Sequence, residues 1–144
     1  MNVVTLNASY TDRAGNVGNS ASSANYTIDT LAPTATITLN DTALQIGDTA
    51  TVTITFSEAV NGFTLDNLTA ANGVLSNLSN ATTNANGSVT YTATFTPTVN
   101  IENTTNAISL NANYTDLNGN VGTTAVSTNY VVDTKAPKIG RAHV

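Results

Sequence analysis

The sequence predicts an all-β domain, an antiparallel sandwich of about seven strands. Three observations carry this reading. Apolar and polar residues alternate over short stretches, most plainly where Ala50, Val52, Ile54 and Phe56 are interleaved with Thr51, Thr53 and Thr55; that is the period of a strand with one buried face. Turn-forming residues punctuate these stretches and no helical period occurs. One stretch also appears twice, at residues 6–33 and 110–137, without a gap and at an offset of 104 residues, as from Tyr10 to Tyr114 and from Asp29 to Asp133. Its shared skeleton is Y-T-D-x-x-G-N-V-G, then N-Y, then D-T-x-A-P. A repeat this long holds its own core, so the chain reads as a piece of a tandem array.

Taken in order, residues 1–28 read as the C-terminal hairpin of a truncated upstream repeat. Two alternating segments flank Thr11-Asp12-Arg13-Ala14-Gly15-Asn16, with Asp and Gly at the first and fourth positions of a type I turn. An isolated hairpin is marginal in water, so this part is expected to be less ordered or to lean on a neighbour. Residues 29–33 form a short linker, stiffened by Pro33.

The complete repeat is expected over 34–133. Its first strand is Thr34 to Leu39, followed by a loop from Asn40-Asp41 to Gly47-Asp48 and a second strand from Ala50 to Phe56. Phe63, Leu65 and Leu68 mark a third, irregular segment, and Gly73 to Leu78 a fourth. After a polar turn region, Val89, Tyr91, Ala93 and Phe95 alternate with threonines up to Pro97. Ile108, Leu110, Ala112 and Tyr114 give the sixth strand, and Val126 to Val132 the seventh, with Tyr130 and Val132 inward. Residues 134–138 begin the next linker. Residues 139–144, Ile139-Gly140-Arg141-Ala142-His143-Val144, break the Thr/Asn-rich composition and match the translation of an adapter-like read, so they are expected to be non-native.

Composition narrows the function classes. The 144 residues are 40% hydrophobic, enough for a core, but only 9% charged, against roughly 25% in an average soluble domain. Nine acidic and four basic residues give a net charge of −5, which argues against a nucleic-acid partner. With no cysteine there is no disulfide framework or thiolate metal site. No apolar run approaches the roughly 20 residues of a membrane helix. Antibody-type domains carry a Cys-Trp-Cys pin, and this chain has neither residue type.

The ordered set D-T-x-A-P, F-S-E-A-V-x-G-F at Phe56 to Phe63, V-T-Y-T-A-T-F-T-P at Val89 to Pro97 and Y-T-D-x-x-G-N at Tyr114 to Asn120 resembles the bacterial immunoglobulin-like repeats of large tandem-repeat surface and secreted adhesins. The resemblance spans about Tyr10 to Pro137. It implies an immunoglobulin-like antiparallel β-sandwich, an extracellular setting, tandem neighbours of the same kind, a stalk or spacer role and, often, calcium at domain junctions.

Calcium takes six to eight oxygen ligands. In a sandwich of this type the linker, the loop after the second strand and the loop between the last two strands meet at one end. These places hold Asp29, Glu58 and Asp116, with Asn118 and Asn120 beside the last, and Asp12 and Asp133 are the equivalents at neighbouring junctions. The competing reading is local: Asp116 and Asp29 form turns, and Glu58 is a solvated strand end. Thr-x-Thr runs on three strands suggest an ice- or sugar-binding face, but threonine also simply favours exposed strand positions. The N-x-[ST] matches carry no weight in a chain so rich in Asn and Thr. Catalysis has little to stand on, because His143 lies in the tail and the adjacent Ser57 and Glu58 point to opposite faces of a strand. The expectation is a non-catalytic stalk repeat that inserts in no membrane. The alternative is an accessory carbohydrate-binding module of a secreted enzyme, which an exposed aromatic platform would favour.

Overall fold

A computed structural model describes residues 1–139. Of the tail expected to be non-native, only Ile139 is described, and the rest lies outside the described residues. Contacts divide the chain into two compact units, Met1–Thr30 and the part from Leu31 onward.

The first unit is a hairpin. Thr5–Leu6 pairs antiparallel with Ala21–Ser22, and single bridges join Asn2 to Tyr26 and Thr11 to Val17. No residue of this unit is buried; Gly18 and Asp29 are half-buried and the rest exposed.

The second unit carries two facing sheets. Its first sheet has five strands: β1 (Ala35–Leu39), β3 (Ala50–Phe56), β6 (Val89–Pro97) and β5 (Gly73–Ser76), in the order β1-β3-β6-β5, and the short Thr82–Thr83, which also pairs with β6. All neighbours are antiparallel, with Ile37 opposite Ile54 and Tyr91 opposite Ile54 across the central pairs. The threonines of β3 face away from the core side, and Val52, Ile54 and Phe56 are completely buried.

The second sheet is assembled from two ladders laid end to end. One orders β7 (Glu102–Asn106), β10 (Tyr130–Asp133) and β2 (Ala43–Gln45); the other orders β9 (Ala125–Val126), β8 (Ile108–Leu110) and β4 (Leu68–Ala70). Only Ala107 separates β7 from β8, and residues 127–129 separate β9 from β10. Ser127 bridges the break: its N–H donates to the Ile108 carbonyl at 2.8 Å, and its Oγ accepts the Ile108 N–H at 3.0 Å. Asn106 fills the same break. Its side-chain amide donates to the carbonyls of Asn103 and Tyr130, its N–H donates to Asn129 Oδ1, and its Oδ1 accepts from Asn72. A buried amide that satisfies these groups is stabilising where an orphaned one would be costly.

The strand pattern departs from the sequence expectation in three places. The loop expected between Asn40 and Asp48 contains β2, which leaves the first sheet and pairs in parallel with β10, Leu44 lying opposite Val132. Three residues with one buried apolar side chain carry no readable period. Strand β7 is polar throughout, and only Asn106 in it is buried. The third segment is a 3₁₀ turn, Leu65–Asn67, followed by β4. Asn67 fixes this turn: its Oδ1 accepts the Thr64 N–H at 2.7 Å, and its Nδ2 donates to Asn111 Oδ1 and the Asn113 carbonyl.

The core between the sheets is the expected inward set with Leu44 of β2 added, while Tyr91 and Ala112 of that set are half-buried. Ile37, Leu44, Val52, Ile54, Phe56, Phe95, Ile108, Leu110, Tyr114, Tyr130 and Val132 are all buried. Phe56 meets Phe63 and Tyr114 edge-on at 4.9 and 5.1 Å between ring centres, and Phe95 meets Tyr130 at 5.1 Å, the geometry aromatic quadrupoles favour. The Tyr130 hydroxyl donates to the Ala71 carbonyl, and burial pushes its pKa up to about 12.

Candidate metal centre

The site is built on the turn between the last two strand segments. Asp116 caps it. Its Oδ1 accepts the N–H groups of Asn118 and Asn120, each at 2.8 Å, and its Oδ2 accepts the Asn120 side-chain amide at 2.7 Å. The backbone closes around the cap: the Asp116 N–H donates to the Asn120 carbonyl and the Gly119 N–H to the Asp116 carbonyl. Gly119 takes φ +92°, a region that L side chains avoid.

The upstream copy folds identically in detail. Asp12 Oδ1 accepts the N–H groups of Ala14 and Asn16, and its Oδ2 accepts the Asn16 amide. Because the Met1–Thr30 unit has no buried residue, the nine residues Y-T-D-x-x-G-N-V-G encode this turn locally. The expected turn-forming role of Asp116 is therefore real, and the two asparagines are what orient its carboxylate.

Asp116 is nevertheless different from Asp12. It is buried, 1% exposed, whereas Asp12 is exposed. Burial pushes the Asp116 carboxyl up, but the hydrogen bonds from Asn120, Asn118 and Gly119 outweigh it and hold the pKa below the ordinary carboxylate value. The group is thus a buried anion at neutral pH.

A second acid of the same unit reaches it. Glu58 and Asp116 each offer a carboxylate oxygen, and the two oxygens lie within 4.8 Å of one another. Glu58 follows β3, beside Val60–Asn61, which pairs with Thr115–Asp116 and so ties the two loops together. Asp29 and Glu58 are half-buried. Oxygens coordinating one calcium at about 2.3–2.6 Å are separated by at most about 5 Å, a spacing that the Glu58 and Asp116 oxygens meet. Asp133, the equivalent of Asp29 one repeat on, is exposed in β10 opposite Glu102.

Sequence reasoning missed how the start of the domain is held. Pro33 is buried, and its carbonyl accepts the Thr123 N–H at 3.1 Å, the Thr123 hydroxyl at 3.3 Å and the Tyr114 hydroxyl at 3.4 Å. Tyr114 also donates to the Thr123 carbonyl at 2.7 Å. The recurrence of tyrosine and proline in both copies was the available signal.

Four strands in the order β1-β3-β6-β5 facing the ladders β7-β10-β2 and β9-β8-β4 is the arrangement of an immunoglobulin-type sandwich. A family model described as bacterial Ig-like domain matches residues 29–132, a span that takes in Asp29, Glu58 and Asp116, and the chain belongs to that family. Neither the curated proteins nor the solved structures gave a match. Domains of this family are typically structural, non-catalytic and extracellular. No helix among the described residues is long and apolar enough to cross a membrane.

Proposed function

We propose that this chain is a spacer repeat in the stalk of an adhesin-like bacterial surface or secreted protein, and that calcium held by Asp29, Glu58 and Asp116 stiffens the junction between repeats. The observation that supports it most is the meeting of the Glu58 and Asp116 carboxylates from distant points of the sequence. Two anions this close repel one another, and a divalent cation relieves that repulsion. Asp116 is presented by its asparagines, Glu58 by the loop after β3, and Asp29 by the linker; backbone carbonyls and water would complete the shell. Extracellular modules bind calcium at about 10⁻⁴–10⁻³ M, and binding to the folded state alone raises Tm.

The alternative, a carbohydrate-binding module, gains no support. Among the described residues of the second unit Phe56, Phe63, Phe95, Tyr114 and Tyr130 are buried and Tyr91 is half-buried, so that unit presents no aromatic platform; the exposed Tyr10 and Tyr26 belong to the first unit.

Calcium titration with Tm as the readout tests the proposal. The unaltered chain should melt higher in millimolar calcium than in chelator, and Glu58→Gln should lose most of that difference while folding normally in chelator. An identical Tm with and without calcium would leave the acids as turn formers alone.

A further inference from the structure

The two ends of the complete domain each hold one end of the repeated D-T-x-A-P segment. At the C-terminal end, Thr134 is 4% exposed. Its hydroxyl donates to the Thr98 carbonyl at 2.5 Å and accepts the Ile101 N–H at 3.0 Å, while its own N–H donates to the Ile101 carbonyl at 2.7 Å. At the N-terminal end, Pro33 is buried and its carbonyl is held by Thr123 and Tyr114. By the offset of 104 residues, Thr134 is the counterpart of Thr30 and Pro137 the counterpart of Pro33.

We infer that D-T-x-A-P is a two-ended clamp, its threonine a core residue of the repeat before it and its proline a core residue of the repeat after it. Asp and Thr then end the last strand of one domain, as Asp133 does in β10. Pro begins the next. Only the x-A pair, Lys135-Ala136 or Leu31-Ala32, lies between the anchors, so the anchored α-carbons of two repeats are at most roughly 11 Å apart. The division between the two compact units falls inside this segment, between Thr30 and Leu31. Successive repeats are thereby joined through only two unanchored residues by side-chain chemistry that needs no cation, a second restraint beside the proposed metal.

The same asymmetry explains the residue types. A threonine hydroxyl both donates and accepts, which is what the Thr98 carbonyl and the Ile101 N–H on the β6–β7 turn require. A proline gives up no donor at a position where only its carbonyl is used.

Residue-resolved hydrogen exchange on the intact chain in chelator tests the clamp separately from the metal. The amides of Thr123, Ile101 and Thr134 should exchange more than about tenfold slower than that of Ala136. Thr134→Val should remove the protection of Ile101 and leave Thr123 unchanged, and Thr134→Ser should restore Ile101. Exchange of Thr123 and Thr134 at the rate of Ala136 would overturn the inference, and this arm needs no variant. Full protection of Ile101 in Thr134→Val would overturn the threonine's part in it.

Discussion

The ring of Tyr114 packs directly against Gly122. A Cβ at position 122 would sit 2.2 Å from ring carbons, and one at Gly18 would meet Tyr10 at 2.1 Å. The Gly122 N–H donates to the Tyr114 carbonyl at 2.8 Å, so the pair is both a backbone rung and a ring contact. This contact holds the Tyr114 hydroxyl on Thr123 and Pro33, and so connects the turn that presents Asp116 to the start of the domain.

Gly122→Ala should therefore be strongly destabilising. The ring cannot retreat, since Tyr114 is packed on Phe56, and overpacking of this kind costs about 1–3 kcal/mol. Gly119→Ala meets no atom within 4 Å and should lose only the backbone term of about 1–2 kcal/mol for a left-handed residue. Urea titrations of the two variants should rank them in that order.

The central strand gives a second contrast. Ile54 is completely buried and Thr51 is exposed on the same strand. Ile54→Ala should cost about 2–5 kcal/mol, and Thr51→Ala less than about 0.5 kcal/mol. Thr53 is half-buried opposite Thr92 and should fall between them. Equal losses at 51 and 54 would contradict the assigned faces.

Acid should unfold the domain partly through Asp116. Its folded-state pKa is depressed, so its contribution is complete above the unfolded value of about 3.9 and is lost as pH falls through the lower folded value. Asp116→Asn should flatten the dependence of Tm on pH in that acid window while leaving the rest of the profile alone. A profile unchanged by the substitution would show that the cap does not favour the ionised form.

Separated pieces should behave unequally. Residues 31–139 contain the whole buried set, whereas residues 1–30 contain none of it. The long piece should melt cooperatively by circular dichroism and the short piece should not.

Much of this protein was determined by short-range pattern. Alternation in Ala50 to Phe56 and Val89 to Phe95 assigned the core faces, because a period of two has one solution once a face is buried. The repeated Y-T-D-x-x-G-N-V-G specified its turn twice over, and Asp12 and Asp116 fold alike because every bond of that cap lies within five residues. What only the tertiary structure decided depends on distant partners. Strand β2 exists because Leu44 finds Val132, and β7 because Asn106 meets Tyr130 and Asn72. Nothing in three residues around one leucine, or in five polar ones, announces such pairings. The carboxylates of Glu58 and Asp116 are 58 residues apart along the chain, and their meeting within 4.8 Å follows from the pairing of Val60–Asn61 with Thr115–Asp116. The same three-dimensional closure turned Thr134 and Pro33 from linker residues into buried ones, since a hydroxyl or carbonyl becomes an anchor only when the fold supplies its partner.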